Sequence, residues 1–168
     1  MSLILYNTFM ILGGFMNKYV IATSSTADLP AEYLKEHNIP FISYTYTIDD
    51  KVYIDDCTEE SRNFLMTSMR AGKQPNTSQI TEYAYYEFLK ELLEAGNDVL
   101  FVDMTRALSA SINNAERAIQ TLSEEYPDRK ISLLDSYCVT GGLALFLKQL
   151  IKRHEEGWDY DQVVEWGN

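Results

Sequence analysis

From Lys18 onward, short apolar runs alternate with longer stretches in which apolar residues recur every third or fourth position. A continuous run suits a strand buried on both faces, whereas the wider spacing gives a helix one apolar stripe. The alternation predicts βαβ units, hence an α/β fold: a mostly parallel, Rossmann-like sheet flanked by helices. Residues 18–23 (KYVIAT) read as the first buried strand, and Pro30 suits the first turn of a helix ending near His37. Residues 39–48 read as one long strand, Asp49-Asp50 as a turn and 51–54 as the returning strand, so a β-hairpin is inserted in the series. Thr58 before Glu59 and Glu60 predicts an N-cap with acids where the helix dipole favours them, on a helix running to about Arg70.

A loop containing Asn76-Thr77-Ser78-Gln79 precedes a third helix, predicted from Tyr85, Phe88, Leu89, Leu92 and Leu93 at i, i+3, i+4, i+7 and i+8. Residues 98–104 (DVLFVDM) predict a buried strand, and 105–111 (TRALSAS) lead to a helix with Ile112, Ala115, Ile119 and Leu122 on one face. The last strand is predicted at 131–135, followed by a helix carrying Leu143, Phe146, Leu147, Leu150 and Ile151, and 161–166 open another helix. The expected organisation is a leader or upstream extension over 1–17, with Met16 as a natural start, one main domain over 18–158, and the start of a following segment over 159–168.

With 46% hydrophobic residues, a 168-residue chain buries one substantial core. The formal charge of −11 and pI near 4.5 exclude a phosphate backbone or an anionic membrane surface as the expected partner, because both recruit Lys/Arg clusters. Residues 4–15 are apolar but interrupted by Gly13-Gly14, lack a basic flank, and fall short of the roughly 18–20 residues of a spanning helix. Neither an integral membrane segment nor a signal peptide is predicted. Cys57 and Cys138 form no CxxC pattern, so no zinc site is expected, and isolated thiols suit a cytoplasmic location.

In open α/β sheets ligands lie beyond the carboxyl ends of the strands, where helix N-termini point free N–H groups. Hydroxyls recur there in this sequence: Thr23 to Thr26 with Ser25 among them, Thr77 and Ser78, Thr105 with Ser109 and Ser111, and Ser136. Such neutral donors suit a carboxylate. Ser and Thr are also the preferred helix caps, which accounts for any single hydroxyl. Four clusters at one sheet edge favour a ligand site.

Bond-breaking chemistry lacks partners in the sequence. His37 and His154 stand among charged neighbours on predicted helices, and there is no GxSxG elbow, GxxxxGK[ST] loop or GxGxxG fingerprint. The reading is a small-ligand binder, not an enzyme, without cofactor. Asp55-Asp56 and Glu59-Glu60 read as solvated surface, not as a metal site, and Gly141-Gly142 fits close helix packing as well as a ligand.

Four segments in order resemble the amino-terminal domain of the DegV family, bacterial proteins that bind a long-chain fatty acid: IATSSTADLP (21–30), PNTSQIT (75–81), TRALSAS (105–111) and LLDSYCVTGGL (133–143). The resemblance implies that Thr77 and Ser109 hold the carboxylate and that the acyl tail enters an apolar tunnel shared with a second domain. It also implies presentation of the acyl carboxylate to a fatty acid kinase. Ser24 replaces the family's usual Asp, Ala110 replaces its usual Gly, and a carboxy-terminal domain of comparable size is missing, so a truncated domain is expected. Two alternatives stand beside this reading. One is a serine-dependent acyl or phosphoryl-transfer enzyme using Ser109 or Ser25, and the other is an interaction domain that has lost its ligand and dimerises through the face left by the missing domain.

Overall fold

A computed structural model describes residues 19–168. The expected leader over 1–17, the start at Met16 and Lys18 as first strand residue lie outside the described residues.

Four parallel strands form the main sheet in the order β2-β1-β6-β7: β1 Tyr19–Ser24, β2 Phe41–Ile42, β6 Asp98–Asp103 and β7 Ile131–Asp135. Tyr19 pairs with Asp98 through to Thr23 with Val102, and Val99 pairs with Ile131 through to Asp103 with Asp135. The central strands bury both faces, as their unbroken apolar runs require. On one face Tyr19, Ile21, Leu100 and Val102 pack against α1 Ala31–Glu36, α5 Gly141–Glu155 and α6 Tyr160–Gly167 through Leu34, Leu143, Leu147, Tyr160 and Val163. On the other, Val20, Ala22, Val99 and Phe101 meet α3 Glu82–Glu94 and α4 Ser111–Glu125 through Tyr85, Phe88, Leu89, Ala115 and Leu122. The predicted apolar stripes of α3 and α4 are therefore the buried ones. Asp159 closes a capping box with Gln162 at the start of α6, and the Arg153 guanidinium lies 3.5 Å over the Trp166 ring, fastening α6 to α5.

Three antiparallel strands form a second sheet in the order β4-β3-β5: β3 Thr45–Ile48, β4 Lys51–Ile54 and β5 Asn76–Ser78. The inserted hairpin turns at Asp49 and Asp50, both with positive φ (49° and 61°), as a two-residue primed turn requires. Helix α2, Glu59–Arg70, follows, with Thr58 Oγ1 accepting from the Ser61 N–H at 3.2 Å as its cap. It buries no residue, and Phe64, Met66 and Met69 are exposed.

Two sequence expectations change. The single strand over 39–48 divides into β2 and β3, because β1 offers partners only as far as Ser24 opposite Ile42 and the chain then crosses to the second sheet. The stretch holding Thr77 and Ser78 is an edge strand paired with Thr45 and Tyr46, not a helix entry; Thr81 caps α3.

Candidate functional site

Among the parallel strands, sequence order reverses between β1 and β6, which makes their carboxyl ends the switch point where open α/β sheets hold ligands. A cavity of about 650 Å³ opens there, within the size of small-molecule sites. Ser25 and Thr26 reach it from just past the end of β1, Met104 from just past the end of β6, and Val139 and Thr140 from the loop after β7. Tyr46, Thr77 and Ser78 of the second sheet and Leu65 and Met66 of α2 close the far side. The loops at the sheet edge are stitched together: Thr140 N–H donates to Thr26 O at 3.1 Å and Thr105 N–H to Cys138 O at 2.9 Å.

Of the strand-end hydroxyls named from the sequence, Ser25, Thr26, Thr77, Ser78 and Ser109 line this one cavity, whereas Thr23, Ser24, Thr105, Ser111 and Ser136 do not. Their engagements differ. Ser25 is buried and its Oγ accepts from the Tyr44 N–H at 3.1 Å, so it anchors the crossover between the sheets. Ser109 is half-buried, and its Oγ accepts from the Ser111 N–H at 3.1 Å, which leaves its proton free to donate. Thr77 and Ser78 are exposed on an edge strand, and neither caps a helix. Ala110, in place of the family's glycine, has φ −77° and ψ −1°, an ordinary right-handed conformation that needs no glycine. Gly142 is explained by packing, since a Cβ there would stand 2.8 Å from Cys138 Cβ.

The structure adds a buried polar network that the sequence reading missed. Asp103, at the end of β6, is fully buried; its Oδ1 accepts from Ser24 Oγ at 2.6 Å and from the Met104 N–H at 2.8 Å, and its Oδ2 from Tyr85 Oη at 2.8 Å. Burial pushes the Asp103 carboxyl above its ordinary value, and the Ser24 and Tyr85 hydroxyls and the Met104 N–H counter it. Burial likewise raises Tyr85, helped by the Asp103 charge. The signal was present: an acid within an apolar run is tolerated only if paired.

A second polar group sits at another part of the wall. Burial raises the Asp55 carboxyl, against the Ser25 hydroxyl and the Cys57 N–H; burial and then Asp55 raise Asp28, with Arg62 pulling it down. Burial also pushes the Cys57 thiol up, so at neutral pH it is not a thiolate. Both imidazoles lie at the opposite edge of the sheet. His154 Nε2 meets Tyr19 O at 3.3 Å, at the start of β1, and His37 Nδ1 meets Glu155 Oε1 at 2.7 Å, at the end of α5. Among the described residues, no three of His, Cys, Asp and Glu cluster as metal ligands would, and no helix is long and apolar enough to cross a membrane.

The sequence matches the DegV family, described as uncharacterised proteins, over residues 18–168. The chain belongs to the DegV family. A DegV domain-containing protein of Clostridium perfringens is 30% identical over 152 residues, which cover 90% of this chain and 52% of the relative. A stearic acid-binding protein from Eubacterium ventriosum shares the fold at a TM-score of 0.77 and 26% identity, over 88% of this chain and 51% of that one. A hypothetical protein of Thermotoga maritima whose structure reveals fatty acid binding function superposes at 0.73 and 26% identity, over 89% and 53%. The chain thus spans about half the length of the curated DegV relatives it matches.

Proposed function

We propose that the chain forms a binding site for a long-chain fatty acid, with the carboxylate held by Thr77 and Ser109 and the acyl chain lying along the apolar part of the cavity. The observation that carries this reading is the convergence of Ser25, Thr77, Ser78 and Ser109 on one cavity whose wall also holds Leu65, Met66, Met104 and Val139. Hydroxyl donors beside apolar walls match a ligand that is a carboxylate at one end and hydrocarbon along the rest. The fatty-acid-binding structures from Eubacterium ventriosum and Thermotoga maritima support the same ligand class.

The role is carriage, not catalysis. Ser25 and Ser109, the candidate nucleophiles, have backbone N–H groups as their hydrogen-bond donors, and the imidazoles sit at the other sheet edge. The free thiols Cys57 and Cys138 suit work in the cytoplasm. Presentation of the bound carboxylate to a fatty acid kinase is the further step that the family resemblance implies.

Protein purified from a bacterial host, extracted with organic solvent and analysed by mass spectrometry, is expected to release a long-chain fatty acid in near-stoichiometric amount. Absence of any bound acid, with no uptake of added stearate, contradicts the reading.

A further inference from the structure

Tyr44 lies where the chain crosses from β2 to β3, and it lines the cavity while packing in the apolar cluster of Ile80, Tyr85 and Phe101. Its backbone is held on both sides: its N–H donates to Ser25 Oγ at 3.1 Å, and its carbonyl accepts from the Asp55 N–H at 2.9 Å. The ring position is therefore fixed by the same crossover that builds the site. Only 7% of Tyr44 is exposed, and its Oη is buried without a protein partner at the distance and angle of a hydrogen bond.

The groups around that oxygen are the hydroxyls of Ser111, Ser109 and Tyr85. Each makes one hydrogen bond elsewhere. Ser111 Oγ accepts from the Ile80 N–H at 3.2 Å, Ser109 Oγ accepts from the Ser111 N–H at 3.1 Å, and Tyr85 Oη donates to Asp103 Oδ2 at 2.8 Å. A buried hydroxyl with no partner bears its whole desolvation cost, and in a native fold such a group calls for a partner from outside the protein. Its position beside Ser109, in the wall of the cavity, indicates which one. A carboxylate presents two oxygens and about four acceptor sites, more than two hydroxyls use.

We infer that the Tyr44 hydroxyl is a third donor to the ligand's carboxylate, beside Ser109, and that the buried Asp103–Tyr85 pair holds its surroundings in place. The inference rests on the fatty-acid reading and adds a residue to that same site.

The test is Tyr44→Phe in the 168-residue chain, comparing stearate affinity by calorimetry and thermal unfolding without ligand. Stearate binding is expected to weaken about tenfold or more, the loss of a hydrogen bond to a charged group. The melting temperature without ligand is expected to hold or rise, because the deleted hydroxyl has no protein partner. Unchanged stearate affinity, with or without a lowered melting temperature, overturns the inference and leaves the fatty-acid reading standing. Failure of the unaltered chain to bind stearate sinks the reading itself and the inference with it. Should the variant not fold, wild-type protein labelled at tyrosine Cζ decides the matter: the Tyr44 resonance moves on stearate addition, and an unmoved resonance overturns the inference.

Discussion

At the residue scale, the candidate site was readable in part. Ser25 and Ser109 could be found because strand-end hydroxyls in an α/β series gather at one sheet edge; Thr77 and Ser78, read the same way, reach the cavity instead from β5 of the second sheet. Tyr44 and Asp103 could not be placed as easily, since Tyr44 sat inside an apparent continuous strand and Asp103 inside an apolar run, and their roles depend on groups distant in sequence. Asp103 bonds Ser24, 79 residues before it, and Tyr85, 18 before it. Its burial has a consequence for stability. Because its carboxyl is raised from 3.8, the folded state keeps that proton to higher pH than the unfolded state does. Above pH 3.8, and up to the folded pKa, the folded state thus binds more protons, and stability falls as pH rises through this window. Asp28 and Asp55 act in the same direction. Asp103→Asn is expected to flatten the decline, read by urea unfolding at closely spaced pH values; parallel curves for variant and wild type would refute the assignment.

At the element scale, periodicity carried most of the fold. The helices α3, α4 and α5 bury the predicted stripes, except that Phe146 is only partly buried. What periodicity could not show was the change of sheet after Ile42, where a strand ends for want of a neighbour and not for want of β-forming residues. It also could not show β5, whose three residues Asn76, Thr77 and Ser78 have no apolar alternation to betray them. The pair Gly141-Gly142 gives an element-scale test. A methyl at 142 would meet Cys138 Cβ at 2.8 Å and Sγ at 3.0 Å, whereas at 141 nothing lies within 4 Å. Gly142→Ala is expected to destabilise by about 1–3 kcal/mol through overpacking, and Gly141→Ala to be neutral or stabilising by up to about 1 kcal/mol. Chemical denaturation of both variants checks this; equal effects would mean that the loop before α5 yields to the added methyl.

At the scale of the whole molecule, the cavity belongs to neither sheet alone. The parallel sheet supplies Ser25, Met104 and the loops after β6 and β7, while the inserted hairpin, β5 and α2 supply Tyr46, Thr77, Ser78, Leu65 and Met66. The sequence announced the two parts separately, but only the crossover at Ser43-Tyr44 brings Thr77 and Ser109 to the same space. That convergence is the central claim, and stearate titration of the wild-type chain, Thr77→Ala and Ser109→Ala tests it most directly. Each substitution is predicted to weaken binding by roughly 1.5–3 kcal/mol, the range for a hydrogen bond to a charged group, with thermal stability retained. Wild-type affinity in both variants would contradict the account, because the carboxylate would then sit elsewhere.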